Sequence, residues 1–134
     1  MKKKSGFRKT PQKRRQEPKV PPEWLYLSPE PVTLRRIYEI FEKDMLWKAE
    51  LWEAAEVLEI TIPDAGSLDM ERMDMELWDE AGKEYLEAQK IRTVFAVTIR
   101  PESYEEARAV MEKIMEHAGG YFCGDTEDFQ PMVR

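Results

Sequence analysis

"LDMERMDMELWDEAGKEYLEAQKI", residues 68–91, admits two foldings, and the architecture of the chain turns on which one is taken. As a helix it starts at Ser67 and buries Met70, Met73 and Leu77 on one stripe. Gly82 then falls in the helix interior, at about 1 kcal/mol relative to alanine. As strands, Met73, Met75 and Leu77 share one face, Asp79–Lys83 makes the turn, and the chain returns antiparallel from Tyr85. A hairpin over about 73–91 is the expected form.

Downstream, "TVFAVTI" (93–99) is β-branched or aromatic on both faces, which places it inside a sheet rather than at its edge. Ser103 and Glu106 then have capping-box spacing just after Pro101. Ala107, Val110, Met111, Ile114 and Ala118 recur at helical steps over 103–118. Upstream, "EVLEITIP" (56–63) reads as a strand, with Leu58, Ile60 and Ile62 alternating against Glu59 and Thr61. Pro63–Ser67 has the chemistry of a loop.

A first helix is expected from Thr33 as N-cap, with Leu34, Ile37, Tyr38 and Phe41 on one side. Nothing in "DMLWKAELWEAAEV" (44–57) breaks it, so it can run to about Ala55; two helices, or a helix then a strand, are the alternatives. Trp24–Leu27 supply apolar surface for docking onto the body, and Pro29 and Pro31 keep the chain extended before the helix.

The expected fold is therefore α+β: a small antiparallel sheet of about three to five strands. One N-terminal and one C-terminal helix pack on one face, and the other face is partly solvated. A disordered basic tail precedes it.

Charge divides the 134 residues unevenly. Residues 1–22 carry nine cations (Lys2, Lys3, Lys4, Arg8, Lys9, Lys13, Arg14, Arg15 and Lys19) against Glu17, a net +8. The whole chain is −6, so residues 23–134 form a single acidic domain at −14. Pro11, Pro18, Pro21 and Pro22, with few apolar residues among them, describe an extended, solvated arm. Such an arm suits phosphate backbone or another acidic surface; it also suits solubility alone, or folding back on its own body. The lone cysteine excludes an internal disulfide and fits a reducing compartment. No apolar run approaches the roughly 18 residues that span a bilayer, and no apolar stretch follows the basic leader. A cytoplasmic protein without membrane attachment is expected, its oligomeric state open.

"MEHAGGYFCGDTED" (115–128) holds the only histidine and the only cysteine. His117, Cys123, Asp125 and Asp128 could nominally ligate zinc, but structural zinc prefers paired cysteines, and the acids near Cys123 would raise its thiol pKa. A helix stop at Ala118, with Gly119 in a left-handed conformation, explains the stretch without chemistry. Met70, Met73 and Met75 could bind Cu(I) or form an adaptable partner surface, yet suit a core. The acids of 64–80 do not have EF-hand spacing and read as a solvated face. If 44–55 is helical, Trp47 and Trp52 stand about 140° apart, leaving one as a candidate interface anchor.

No cofactor or metal is expected. The function expected is a non-enzymatic interaction or regulatory module: the acidic body binds a protein partner, and the basic arm binds nucleic acid or an acidic surface. The alternative is a small enzyme or ligand-binding domain with its site near the His117–Asp128 turn, where Asp125 or Asp128 serves as acid or base.

Overall fold

The computed structural model of the chain describes residues 20–134. The expected tail lies outside them except for its last three positions. Two of those are tied to the body: the Pro21 carbonyl accepts the Trp24 indole N–H at 2.7 Å, and the Pro22 carbonyl accepts the Ile99 N–H at 2.9 Å.

The first strand, β1 (Glu23–Ser28), is more than a docking segment. Prolines bracket a run that is apolar on both faces, the pattern of a strand buried in mid-sheet. It pairs antiparallel with β5 (Thr93–Thr98) on one side and β6 (Tyr121–Gly124) on the other. Trp24, Leu25, Tyr26 and Leu27 are fully buried.

Helix α1 (Leu34–Phe41) starts as expected, the Thr33 hydroxyl accepting the Arg36 N–H at 3.1 Å. It stops at Phe41, well before Ala55. There Asp44 intervenes: its carboxylate accepts the N–H groups of Leu46 and Trp47 and the ammonium of Lys113, turning the chain. Beyond that turn the chain is extended, as β2 (Lys48–Trp52), hairpinned onto β3 (Val57–Thr61) and then β4 (Ser67–Arg72).

The 68–91 stretch adopts neither folding. Its first part is β4, Met75–Leu77 is a short 3-10 turn, and Glu80–Ala88 is helix α2. The expected hairpin over 73–91 is overturned by two acidic caps. Asp74 accepts the Glu76 N–H at 2.9 Å, and Asp79 accepts the Gly82 N–H at 2.8 Å. Helix α3 (Tyr104–Ala118) comes after a 3-10 turn at Pro101–Ser103. Because that turn already contains Ser103, its side chain caps nothing, and the capping box does not form. Gly119 ends α3 with φ 78. β7 (Met132–Val133) completes the sheet beside β6.

The described residues thus form a seven-stranded antiparallel sheet, order β2-β3-β4-β5-β1-β6-β7, with three α-helices. The expected three to five strands undercount it: β1 has the sequence of a docking segment, β2 that of a helix, and β4 opens the ambiguous stretch. The large core lies on one face, where Ile37 and Phe41 of α1 and Val110, Met111 and Ile114 of α3 meet Trp24, Leu58, Ile60, Met70 and Val97. The other face is not simply solvated: α2 covers Leu25, Leu27, Val94 and Cys123 with Leu86 and Tyr85. It leaves β2, β3 and β4 open on that side.

Gly82 shows why α2 tolerates an interior glycine. A Cβ there would meet the Trp78 ring at 2.7 Å, so the indole lies on the bare backbone. Gly82→Ala should lower the melting temperature despite alanine's better helix propensity, by an overpacking cost of about 1–3 kcal/mol. A stabilised variant would show that the indole does not need that contact.

Asp44 gives a second expectation. Lys113, then the Trp47 N–H, hold its carboxyl at about 2, below the ordinary 3.8. A depressed carboxyl stabilises the fold above its unfolded pKa and stops doing so as pH falls through its folded one. Asp44→Asn should therefore melt lower at neutral pH, and its deficit should shrink between about pH 4 and pH 2 in paired thermal melts. A deficit independent of pH would remove the ion pair as its source.

Candidate binding surface

The open half of the second face is built by strand alternation. Residues whose neighbours point into the large core must themselves point out. Leu58, Leu68, Met70 and Val97 are core, so Glu59, Asp69, Glu71 and Thr98 face outward. Register then aligns them: Glu50 lies opposite Glu59, Glu59 opposite Asp69, Asp69 opposite Thr98, and Thr98 opposite Glu23. The Asp125 N–H bonds the Glu23 carbonyl at 3.0 Å, extending the line one strand further.

The result is a row of carboxylates across the sheet, Glu50–Glu59–Asp69 and then Glu23–Asp125, broken only by Thr98. Like charges directly opposite each other destabilise a sheet. Among the described residues none of the five has an ion-pair partner. Trp52 projects from β2 on the same side and is 46% exposed, next to Glu50 and opposite Val57. Trp47, in contrast, packs edge-on to Phe41 with ring centroids 6.0 Å apart. Of the two, Trp52 is the more exposed.

At the Asp125 end of the row lies a pocket of about 350 Å³ between α2 and the Asp125–Phe129 turn. Trp78 and Phe129 stack within it, centroids 6.3 Å apart and planes at 17°, and Phe129 stacks on Tyr85 at 4.4 Å. Phe129 has φ 57, unusual for a bulky side chain. Two hydrogen bonds between the Thr126 hydroxyl and the backbone of Gln130, at 2.9 and 3.1 Å, hold the turn. The Trp78 indole N–H is buried with no acceptor among the described residues.

The four ligand candidates are not brought together. His117 is exposed in the last turn of α3, where its carbonyl accepts a bond from Arg36 at 2.7 Å. Cys123 is fully buried on the α2 side, its thiol pushed up to about 12 by burial and then by the Asp125 charge. Burial, and then Glu23, also raises the Asp125 carboxyl. Asp128 turns inward on its own loop, accepting from Thr126 and Gln130 at 3.1 Å. Among the described residues no group of three or more His, Cys, Asp or Glu is placed to hold a metal ion. The methionines disperse too: Met70 is core, Met73 half-buried and Met75 exposed. The arm cations Lys2, Lys3, Lys4, Arg8, Lys9, Lys13, Arg14, Arg15 and Lys19 lie outside the described residues.

A larger cleft of about 740 Å³ opens at the other end of the strands, between the start of α1, the β2–β3 turn and the β4–α2 connection. Two ion pairs lie along it, beside Asp74, Glu76 and Arg92. Arg35 grips both oxygens of Glu53 at 2.8 Å, and Arg72 reaches Glu56 at 3.4 Å. No helix among the described residues is long and apolar enough to cross a membrane. In comparisons with known proteins, no family model, no curated protein and no solved structure matches the chain.

The Cys123 environment has a direct chemical check. The native thiol should resist iodoacetamide at mildly alkaline pH and react rapidly once guanidinium unfolds the chain, because only the thiolate is nucleophilic. Fast native alkylation would mean that Cys123 is not held as described.

Proposed function

We propose that the folded body is a non-enzymatic binding module whose carboxylate row and Trp52 receive a basic protein partner. The basic arm engages nucleic acid or an acidic surface, in a cytoplasmic setting. The row carries the reading. Aligned carboxylates without counter-ions cost stability, and an exposed tryptophan beside them supplies the aromatic anchor that interface centres favour. A cationic surface would relieve that repulsion and bury the indole. The ligand-binding alternative retains one specific support, the pocket beside Asp125, in the region where a site was expected from the sequence.

A labelled oligolysine peptide, titrated at low salt and followed by anisotropy, tests the row. Glu50→Gln/Glu59→Gln/Asp69→Asn should weaken binding about tenfold or more, and Trp52→Ala should weaken it with little change in melting temperature. A control removing the same charge from helices, Glu39→Gln/Glu84→Gln/Glu87→Gln, should bind nearly as well as the parent. The row variant should also melt higher, since each opposed like-charge pair costs up to about 1 kcal/mol. Equal losses in row and control variants would reduce the effect to net charge and end the proposal.

A further inference from the structure

We infer that the pocket between α2 and the Asp125–Phe129 turn binds one organic cation, the guanidinium or ammonium end of an arginine or lysine side chain. This deepens the preceding reading, on which it rests, by naming the chemistry of a discrete subsite for a basic partner.

Three properties of the cavity converge on that ligand. Its walls are aromatic and apolar: Trp78, Phe129 and Met73. The methylene stem of a long basic side chain packs against such walls while its charged head stays at the polar rim. Its charged lining is entirely acidic, from Asp79, Asp125 and Glu127, with no Lys, Arg or His among the lining residues. An anion would be repelled, and a neutral apolar ligand would desolvate carboxylates without compensation. Its volume, about 350 Å³, is at the small end for ligand sites and suits a single long side chain, stem on the rings and head toward the acids.

The walls are also held in place before any ligand arrives. The Trp78 indole is seated on Gly82, and Phe129 is fixed between Trp78 and Tyr85 by a turn that Thr126 closes on itself. A pocket built this way loses little side-chain freedom on binding. Partial desolvation at the pocket rim, and then the neighbouring Glu23 charge, already disfavour the Asp125 carboxylate, and a cation beside it would oppose both. Asp125 also stands at the end of the carboxylate row, so a basic chain lying on the row passes the pocket mouth.

Arginine or lysine could come from another protein or from this chain's own arm, and one experiment separates the two. The full chain, labelled with ¹⁵N, is titrated with N-acetylarginine amide, and with N-acetylcitrulline amide as the neutral isostere. The reporter is the Trp78 indole N–H resonance. A saturable shift with arginine and none with citrulline is expected for an open pocket. Asp125→Asn/Glu127→Gln should weaken it about tenfold or more while the melting temperature holds.

If the arm fills the pocket, replacing its nine cations by glutamine moves the Trp78 resonance by itself, and the arginine probe moves it back. Both outcomes support the site and assign its source. A resonance that ignores both arginine and the loss of the arm charges, or answers citrulline equally, overturns it. The row variant should leave the arginine shift intact, so failure of the pocket and failure of the row can be told apart.

Discussion

The structure depends on one strand being buried on both sides. β1 enters between β5 and β6, and its side chains point alternately into two apolar layers. Trp24 and Tyr26 anchor the α1–α3 side, and Leu25 and Leu27 anchor the α2 side. A strand that faces water on one side needs one helical layer; this one requires a second. α2 is that layer, and it is short. Nine residues of helix cover the centre of the second face and no more. The open half over β2, β3 and β4 is therefore a consequence of how little helix the chain spends there.

Across that half runs the carboxylate row, with Lys48, Trp52, Thr61 and Ser67 on the same side of their strands, and the sheet geometry makes the row consequential. Strands of an antiparallel sheet lie about 4.8 Å apart, so the backbones of residues in one cross-strand row are held close together. On a helix the same acids could swing apart or pair at i,i+4, as Arg108 and Glu112 do on α3 at 3.3 Å. In the row the backbone sets them opposite one another, and none has an ion-pair partner among the described residues. A surface that only needed solubility could have dispersed these charges.

The parts of the fold legible in the sequence are those governed by local chemistry. Thr33 caps α1, α3 ends at Ala118, and Glu56–Ile62 alternates as its strand does. β5 lies in the middle of the sheet, as its two-sided β-branched surface implies. The failures are tertiary overrides. Lys48–Trp52 consists of good helix formers, yet its burial alternates with period two once Asp44 and Lys113 pin the preceding turn. In 68–91 the apolar positions of a strand, a 3-10 turn and a helix succeed one another too closely for any single period to show. Asp74 and Asp79 look like surface acids in the sequence, although each is an N-cap. The row is half visible: alternation in 56–63 turns Glu59 outward, but its partners Glu50 and Asp69 lie on segments without a clear strand pattern. The pocket is hidden for another reason, since Trp78 and Phe129 are 51 positions apart and only the packing of α2 against the last turn brings them together.

His117 and Cys123 look like the chemical centre because they are rare, but rarity is not proximity to a reacting surface. Just past the strand that carries Cys123 inward, Asp125 continues its alternation and reaches the rim on the same face. There it joins the row through Glu23 and the pocket through Phe129. Gly119 and Gly120 make this possible. A side chain at Gly120 would strike the Leu27 carbonyl and the Tyr26 ring at 2.7 Å, so the chain can leave α3 and enter β6 tightly against β1 only because that position is bare. The "HAGGYFCGD" segment thus acts by setting register. It fixes which face Asp125 occupies, and so decides that the acidic row ends at an aromatic cavity rather than at the edge of the sheet.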